Sequence, residues 1–143
     1  MKRITALLLS LLMVISLCAC GDANNAKASS GLKAGFIFLH DENSTYDLNF
    51  INAAKEACNA LGVESVMKTN VPEGQECYDA AVDLADRGCN FIFADSFGHE
   101  DYIIQAAKEF PEVKFSHATG TKAHTEKLNN YSTAYAFCTS FSY

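Results

Sequence analysis

The 143-residue sequence is short of basic side chains, with 11 lysines and arginines against 17 aspartates and glutamates. Two of the basic residues, Lys2 and Arg3, stand at the extreme N-terminus. Without the first nineteen residues, 9 basic side chains face 17 acidic ones, a net charge of −8. A body this acidic argues against a nucleic-acid partner, whose phosphates need a basic face. No apolar run beyond Cys20 is long enough to cross a bilayer. There is no Gly-x-Gly-x-x-Gly and no Gly-Lys-Ser/Thr, so dinucleotide and P-loop chemistry are excluded. Neither a Cys-x-x-Cys pair nor the Cys/His spacing of a zinc site occurs, and nothing implies a cofactor. The full sequence is 49% hydrophobic and 20% charged, the composition of one domain with a packed core.

The apolar residues are unevenly placed. After Lys2 and Arg3, the stretch Ile4–Leu17 is apolar except for Thr5, Ser10 and Ser16. A positive start followed by a short apolar run is the pattern of a secretory signal. It ends in Leu17-Cys18-Ala19-Cys20, which resembles the lipobox of bacterial lipoproteins. The resemblance implies that residues 1–19 are a signal peptide and that Cys20 carries the lipid. An ordinary signal cut after Ala19 is the alternative. More than one acyl chain is needed to hold a protein stably. A fully lipidated Cys20 is therefore expected to anchor the body to the outer face of the cell membrane, with residues 20–32 as a polar linker.

From Lys33 onward, short apolar runs alternate with helical periodicity. Residues 33–39, 63–69, 90–95 and 113–117 read as strands, and Phe36-Ile37-Phe38 and Phe91-Ile92-Phe93 suit strands buried on both sides. Between the first two, Phe50, Ile51, Ala54, Ala57, Cys58 and Leu61 recur at helical spacing over 48–61. Ser44 or Thr45 can cap that helix and Gly62 can end it. A second helix opens after Pro72-Glu73-Gly74 and stops at Gly88, and a third spans 100–110. This alternation predicts an α/β fold, a Rossmann-like parallel sheet with helices on both faces and the first strand inside it. Cys58, Cys77, Cys89 and Cys138 are expected to be free thiols, since Cys58 sits on an apolar helical face.

In such a sheet, ligands bind beyond the carboxyl ends of the strands. That rule selects residues 40–47, 95–99 and 118–121. The segment His40–Asp47 is long for a plain turn and has no aliphatic residue. Two rival chemistries can be read at this edge. Ala94-Asp95-Ser96-Phe97-Gly98 imitates a nucleophile elbow, which would make Ser96 the nucleophile of a serine hydrolase. His40 and His99 follow strands and His117 ends the next one, and the three would be the ligands of a metal-binding lipoprotein.

Several blocks in order carry a further resemblance: Leu61-Gly62-Val63, Asn70-Val71-Pro72-Glu73-Gly74, Ile92-Phe93-Ala94-Asp95-Ser96-Phe97-Gly98, and Phe110-Pro111-Glu112-Val113 through His117-Ala118-Thr119-Gly120. Together they resemble the basic membrane protein family, lipoprotein substrate-binding components of ABC importers. The resemblance implies a type I periplasmic-binding-protein-like fold, no enzymatic activity, a small-molecule solute such as a purine nucleoside, and an ABC permease as partner. Residue by residue, Tyr46 falls where relatives stack an aromatic ring on the base. Asn43 and Asp47 fall on polar positions beside it. Asp95, Ser96 and Phe97 fall on the segment that faces the cleft. A tyrosine–base stack contributes on the order of 1–3 kcal/mol. Residues 33–127 are expected to form the N-terminal lobe alone. Residues 128–143, which carry no charge, are expected to be atypical, in the manner of an out-of-frame ending.

Overall fold

A computed structural model describes residues 31–134; the signal segment, Cys20, Cys138 and residues 135–143 lie outside the described residues. Five strands, β1 (Lys33–Ile37), β2 (Glu64–Lys68), β3 (Phe91–Ala94), β4 (Lys114–Ala118) and β5 (Tyr131–Ala134), form one sheet in the order β2-β1-β3-β4-β5. All four pairings are parallel. The connections hold α1 (Thr45–Leu61), α2 (Gln75–Asp86), a 3₁₀ turn at Phe97–His99 running into α3 (Glu100–Glu109), and a short helical turn α4 (Ala123–Glu126). The expected α/β class, the parallel sheet and the interior position of the first strand are all found.

The two-residue period of the strands sorts the core into two layers. Ala34, Phe36 and Phe38 point to one face, where they pack with Ile51, Ala54 and Cys58 of α1. Ile37, Ile92, Ala94 and Phe115 point to the other, against Cys77, Ala81 and Leu84 of α2 and Ile103, Ala106 and Ala107 of α3. Gly35 also lies on this second face. A Cβ there would sit 2.9 Å from Leu84 Cδ1, so the missing side chain is what lets α2 approach β1.

Local signals explain the ends of α1. Ser44 is the N-cap, and its hydroxyl accepts the Asp47 N–H. Gly62 closes the helix in the left-handed region at φ 70°. The helix starts at Thr45, three residues before the expected Leu48, because the Ser44 cap and not the first apolar residue sets the boundary. Its apolar stripe is wider than the surface it buries. Leu61 is 70% exposed, and with Phe50, Ala53 and Ala57 it borders a groove of about 370 Å³ beside β1 and β3.

β5 was not anticipated. It lies inside the segment set apart from Leu128, yet it pairs with β4 from Phe115–Tyr131 to Ala118–Ala134. The lobe therefore continues past 127. A four-residue strand, Tyr-Ser-Thr-Ala, is too short and too polar to show an apolar period, and only the neighbouring strand identifies it. Asn130 fastens its start by donating through its side-chain amide to the Ala107, Phe110 and Val113 carbonyls. Cys58, Cys77 and Cys89 are buried and unpaired. No helix among the described residues is long and apolar enough to cross a membrane.

The Gly35–Leu84 contact is open to test. Gly35→Ala should lower stability by about 1–3 kcal/mol, the usual range for overpacking. In a Leu84→Ala background the same change should cost little, because the opposing side chain is gone. Urea denaturation midpoints of the four proteins check this; equal costs in both backgrounds would sink the close-approach argument.

Candidate functional site

The expected site segments meet where the rule for parallel sheets puts them, beyond the carboxyl end of β1. The chain leaves this strand through Phe38, Leu39 and His40, and successive N–H groups turn to side chains. Leu39 N–H donates to Asp95 Oδ1 at 3.2 Å, and His40 N–H donates to Asp47 Oδ1 at 2.9 Å. One carboxyl comes from the end of β3 and the other from the first turn of α1. Both side chains are buried, Asp47 at 1% and Asp95 at 0% exposure.

The two carboxyls sit in different settings. Burial works against the charge of Asp47, but hydrogen bonds from Ser44, from the His40 N–H and from neighbouring groups outweigh it and hold its pKa down at about 2. The Ser44 hydroxyl donates to Oδ2 at 2.5 Å, and His40 Nδ1 lies 3.2 Å from the same oxygen. Asp95 is pushed up to about 7, first by burial and then by the charge of Asp47 beside it. The two adjacent carboxyls are thus driven apart in pKa, one downward and the other upward.

Over this pair lies Tyr46, 50% exposed. Its hydroxyl donates to the Asp95 carbonyl at 3.2 Å, and its ring rests on Phe50 with centroids 5.0 Å apart. Tyr46 thus serves both as a roof on the first helix and as a solvent-facing aromatic surface. Phe97, 66% exposed, is the other large apolar side chain presented here. Asn43 stays on the surface, where its main-chain and side-chain N–H groups both donate to Asp41 Oδ1 and shape the turn. The structure therefore brings Tyr46, Asp47 and Asp95 together, and gives Asn43 a local turn as its partner.

Ser96 has a partner that sequence reasoning missed. Its hydroxyl donates to the Glu73 carboxylate, which also accepts the Gly98 N–H at 3.0 Å. Glu73 so caps the 3₁₀ turn from a different loop, and its own pKa is lowered by those two donors. A Cβ at Gly98 would run into the Glu73 carboxylate, so a larger residue there would have to push that carboxylate aside. The Pro72-Glu73-Gly74 block was legible as a helix opening, but its reach across to Ser96 depends on how α2 and α3 pack. Glu100 was missed in the same way. It is buried, and it accepts the Lys122 N–H at 2.8 Å and the Tyr131 hydroxyl at 2.9 Å, gathering the loop after β4.

The two rival chemistries lose their geometry. For a hydrolase, His117 would have to face the Ser96 hydroxyl; instead its Nε2 bonds the Ser96 main-chain carbonyl at 2.6 Å. For a metal site, His40, His99 and His117 would have to converge. His99 is buried and bonds the Val71 carbonyl through Nε2 at 3.0 Å, His117 is occupied as described, and His40 is exposed against Asp47. Among the described residues, no group of three or more His, Cys, Asp or Glu is arranged to hold a metal ion. Cys77 offers no nucleophile either, since burial and the nearby Asp95 and Glu73 charges push its thiol up to about 12.

The sheet order, the helices on both faces and the polar rim define a periplasmic-binding-protein-like lobe. The chain belongs to the basic membrane protein family, the PnrA-like ABC transporter substrate-binding proteins, whose profile matches residues 32–137. These are binding proteins and not enzymes. Among curated relatives, a purine-binding protein of Brucella abortus is 41% identical over 102 residues, covering 68% of this chain and 29% of its own length. The chain thus spans about three-tenths of that relative. An ABC transporter solute-binding protein from Conexibacter woesei superposes with a TM-score of 0.62 at 21% identity, covering 73% of this chain and 35% of that one. A transcriptional activator of the comK gene from Bacillus halodurans has a TM-score of 0.55 at 20% identity, with 62% and 30% covered. At these identities the two solved structures speak to the fold.

The acid limb of stability follows from Asp47. Its folded pKa lies below the ordinary 3.8, so its carboxylate stabilises the fold above about pH 4 and loses that contribution as pH falls toward 2. The loss should be on the order of 2 kcal/mol. Asp47→Asn should be less stable at pH 6 and should flatten the curve below pH 4; an acid limb as steep as the parent's would count against this assignment.

Proposed function

We propose that this chain is the solute-facing N-terminal lobe of a lipid-anchored ABC-importer receptor that captures purine nucleosides. The observation that carries the reading is the half-exposed Tyr46 ring, fixed over the Asp47–Asp95 pair by its bond to the Asp95 carbonyl. An aromatic face accepts any base by stacking, and polar groups at its margin then discriminate. The purine-binding relative from Brucella abortus supports the choice of solute class. Phe97 extends the apolar surface, and Ser96 shapes the rim through its bond to Glu73.

In this reading, lobe closure supplies most of the affinity of a two-lobed receptor. The described residues present one wall of such a cleft. Stacking worth about 1–3 kcal/mol, set against the cost of association, leaves affinity in the millimolar range or weaker. Titrating inosine or guanosine into the labelled protein should move the amide resonances of Leu39, His40, Tyr46 and Phe97, and Tyr46→Ala should abolish the shifts. Shifts centred elsewhere, or micromolar binding that survives Tyr46→Ala, would overturn the assignment.

The anchor is a separate part of the proposal. It rests on the Leu17-Cys18-Ala19-Cys20 pattern behind a charged and apolar start. In a bacterial host, labelled palmitate should be incorporated and the protein should sediment with membranes. Cys20→Ala should lose both the label and the sedimentation. Label retained in that variant would show that Cys20 is not the lipidated residue.

A further inference from the structure

We propose that Asp47 and Asp95 hold a single proton between them, and that this proton is a latch fastening the start of α1 to the end of β3 beneath the Tyr46 ring. It concerns the rim described above but needs no solute, so it stands or falls apart from the nucleoside reading.

The geometry begins with the main chain. Leu39 and His40 are consecutive, and their N–H groups bind one carboxyl each, which places both side chains at the same strand end. Asp47 has its other oxygen satisfied by the Ser44 hydroxyl and His40 Nδ1. Asp95 does not. Its Oδ2 is buried and meets no donor among the described residues. An acceptor left bare inside a protein is costly unless it carries a proton of its own. A proton on Asp95 Oδ2 turns that atom into a donor, and the Asp47 carboxylate beside it is the acceptor.

The surrounding charges favour that placement. Around the pair stand His40 from the β1–α1 connection, Tyr46 from α1, Glu73 before α2, Cys77 on α2, His99 after β3, and His117 of β4 on the Ser96 carbonyl. Glu73 is a third carboxylate nearby, and the Cys77 thiol stays protonated. His99 and His117 are held toward the neutral form by burial. Exposed His40 lies on the Asp47 side, its Nδ1 3.2 Å from Asp47 Oδ2. Nothing here neutralises a second buried negative charge on Asp95, so the proton is retained until solution pH removes it.

The sign follows from linkage. A carboxyl whose folded pKa is raised stabilises its surroundings at low pH and loses that contribution as pH rises through the folded value, here about 7. Above it, two adjacent carboxylates repel across the α1–β3 junction. Between the ordinary carboxyl value of 3.8 and about 7, local opening at Leu39 and His40 should therefore increase about tenfold per pH unit, beyond the intrinsic acceleration of amide exchange, and level off once Asp95 is ionised.

The test uses the full chain without ligand. Carbon NMR of the aspartate carboxyls should show one group titrating near 7 and assigned to Asp95. Amide exchange at Leu39 and His40 should lose protection as pH rises from about 4 to about 7 and then level off. Asp95→Asn carries a permanent donor in place of the proton, so it should keep that protection at alkaline pH. Asp47→Asn should move the Asp95 titration downward, because the repelling charge is gone. The proposal fails if Asp95 titrates below about 5, or if Asp95→Asn follows the parent's exchange profile. Should neither variant fold, the carboxyl titration of the unmodified chain decides alone.

Discussion

Two adjacent backbone N–H groups at the end of β1 govern the rim of this lobe. Leu39 and His40 have left the sheet ladder, so their donors must find other partners. They find carboxyls from two different elements, Asp95 after β3 and Asp47 in the first turn of α1. The same bonds therefore end β1, set the entry of α1 and bring two acidic side chains into contact. Tyr46 precedes Asp47, so seating Asp47 also places the aromatic ring above Asp95. The exposed aromatic surface is thus a consequence of main-chain accounting below it.

The sheet beneath supports this arrangement by its alternation. Tyr46 rests on Phe50, Phe50 approaches Phe93 with centroids 6.0 Å apart, and Phe93 approaches Phe36 at 6.4 Å. A continuous aromatic path runs from the solvent-facing rim into the layer under α1. On the opposite face, small and branched side chains receive α2 and α3, with Gly35 making room for Leu84. The division of labour is physical. Rings fill the layer covered by one helix, while tighter contacts fill the layer covered by two.

The roles of individual polar residues at the rim are decided by who reaches whom. Ser96 in an elbow-like context is a plausible nucleophile until Glu73 takes its hydroxyl and His117 takes the carbonyl of the same residue. Three histidines at the carboxyl ends of parallel strands suggest a metal until two of them prove to be buried partners of main-chain carbonyls. Each alternative asked for side chains to converge on a point. The packing directs them to separate backbone groups instead, as buried imidazoles require.

Much of the fold was legible from residue order. The runs Phe36-Ile37-Phe38 and Phe91-Ile92-Phe93, the helical spacing of Ile51, Ala54 and Cys58, and the stop at Gly62 carry their meaning locally, through period and backbone preference. So did the family blocks, and with them the rim on which Tyr46 and Asp95 lie. What local pattern does not encode is partnership across the chain. β5 exists because β4 offers a ladder, Glu73 caps a turn some two dozen residues away, and Leu61 stays exposed because the described fold places no element over it. The opposite pKa shifts of Asp47 and Asp95 belong to this second kind. Two aspartates are chemically alike in sequence, and only burial side by side, with the hydrogen-bond donors falling to Asp47, drives one pKa up and the other down.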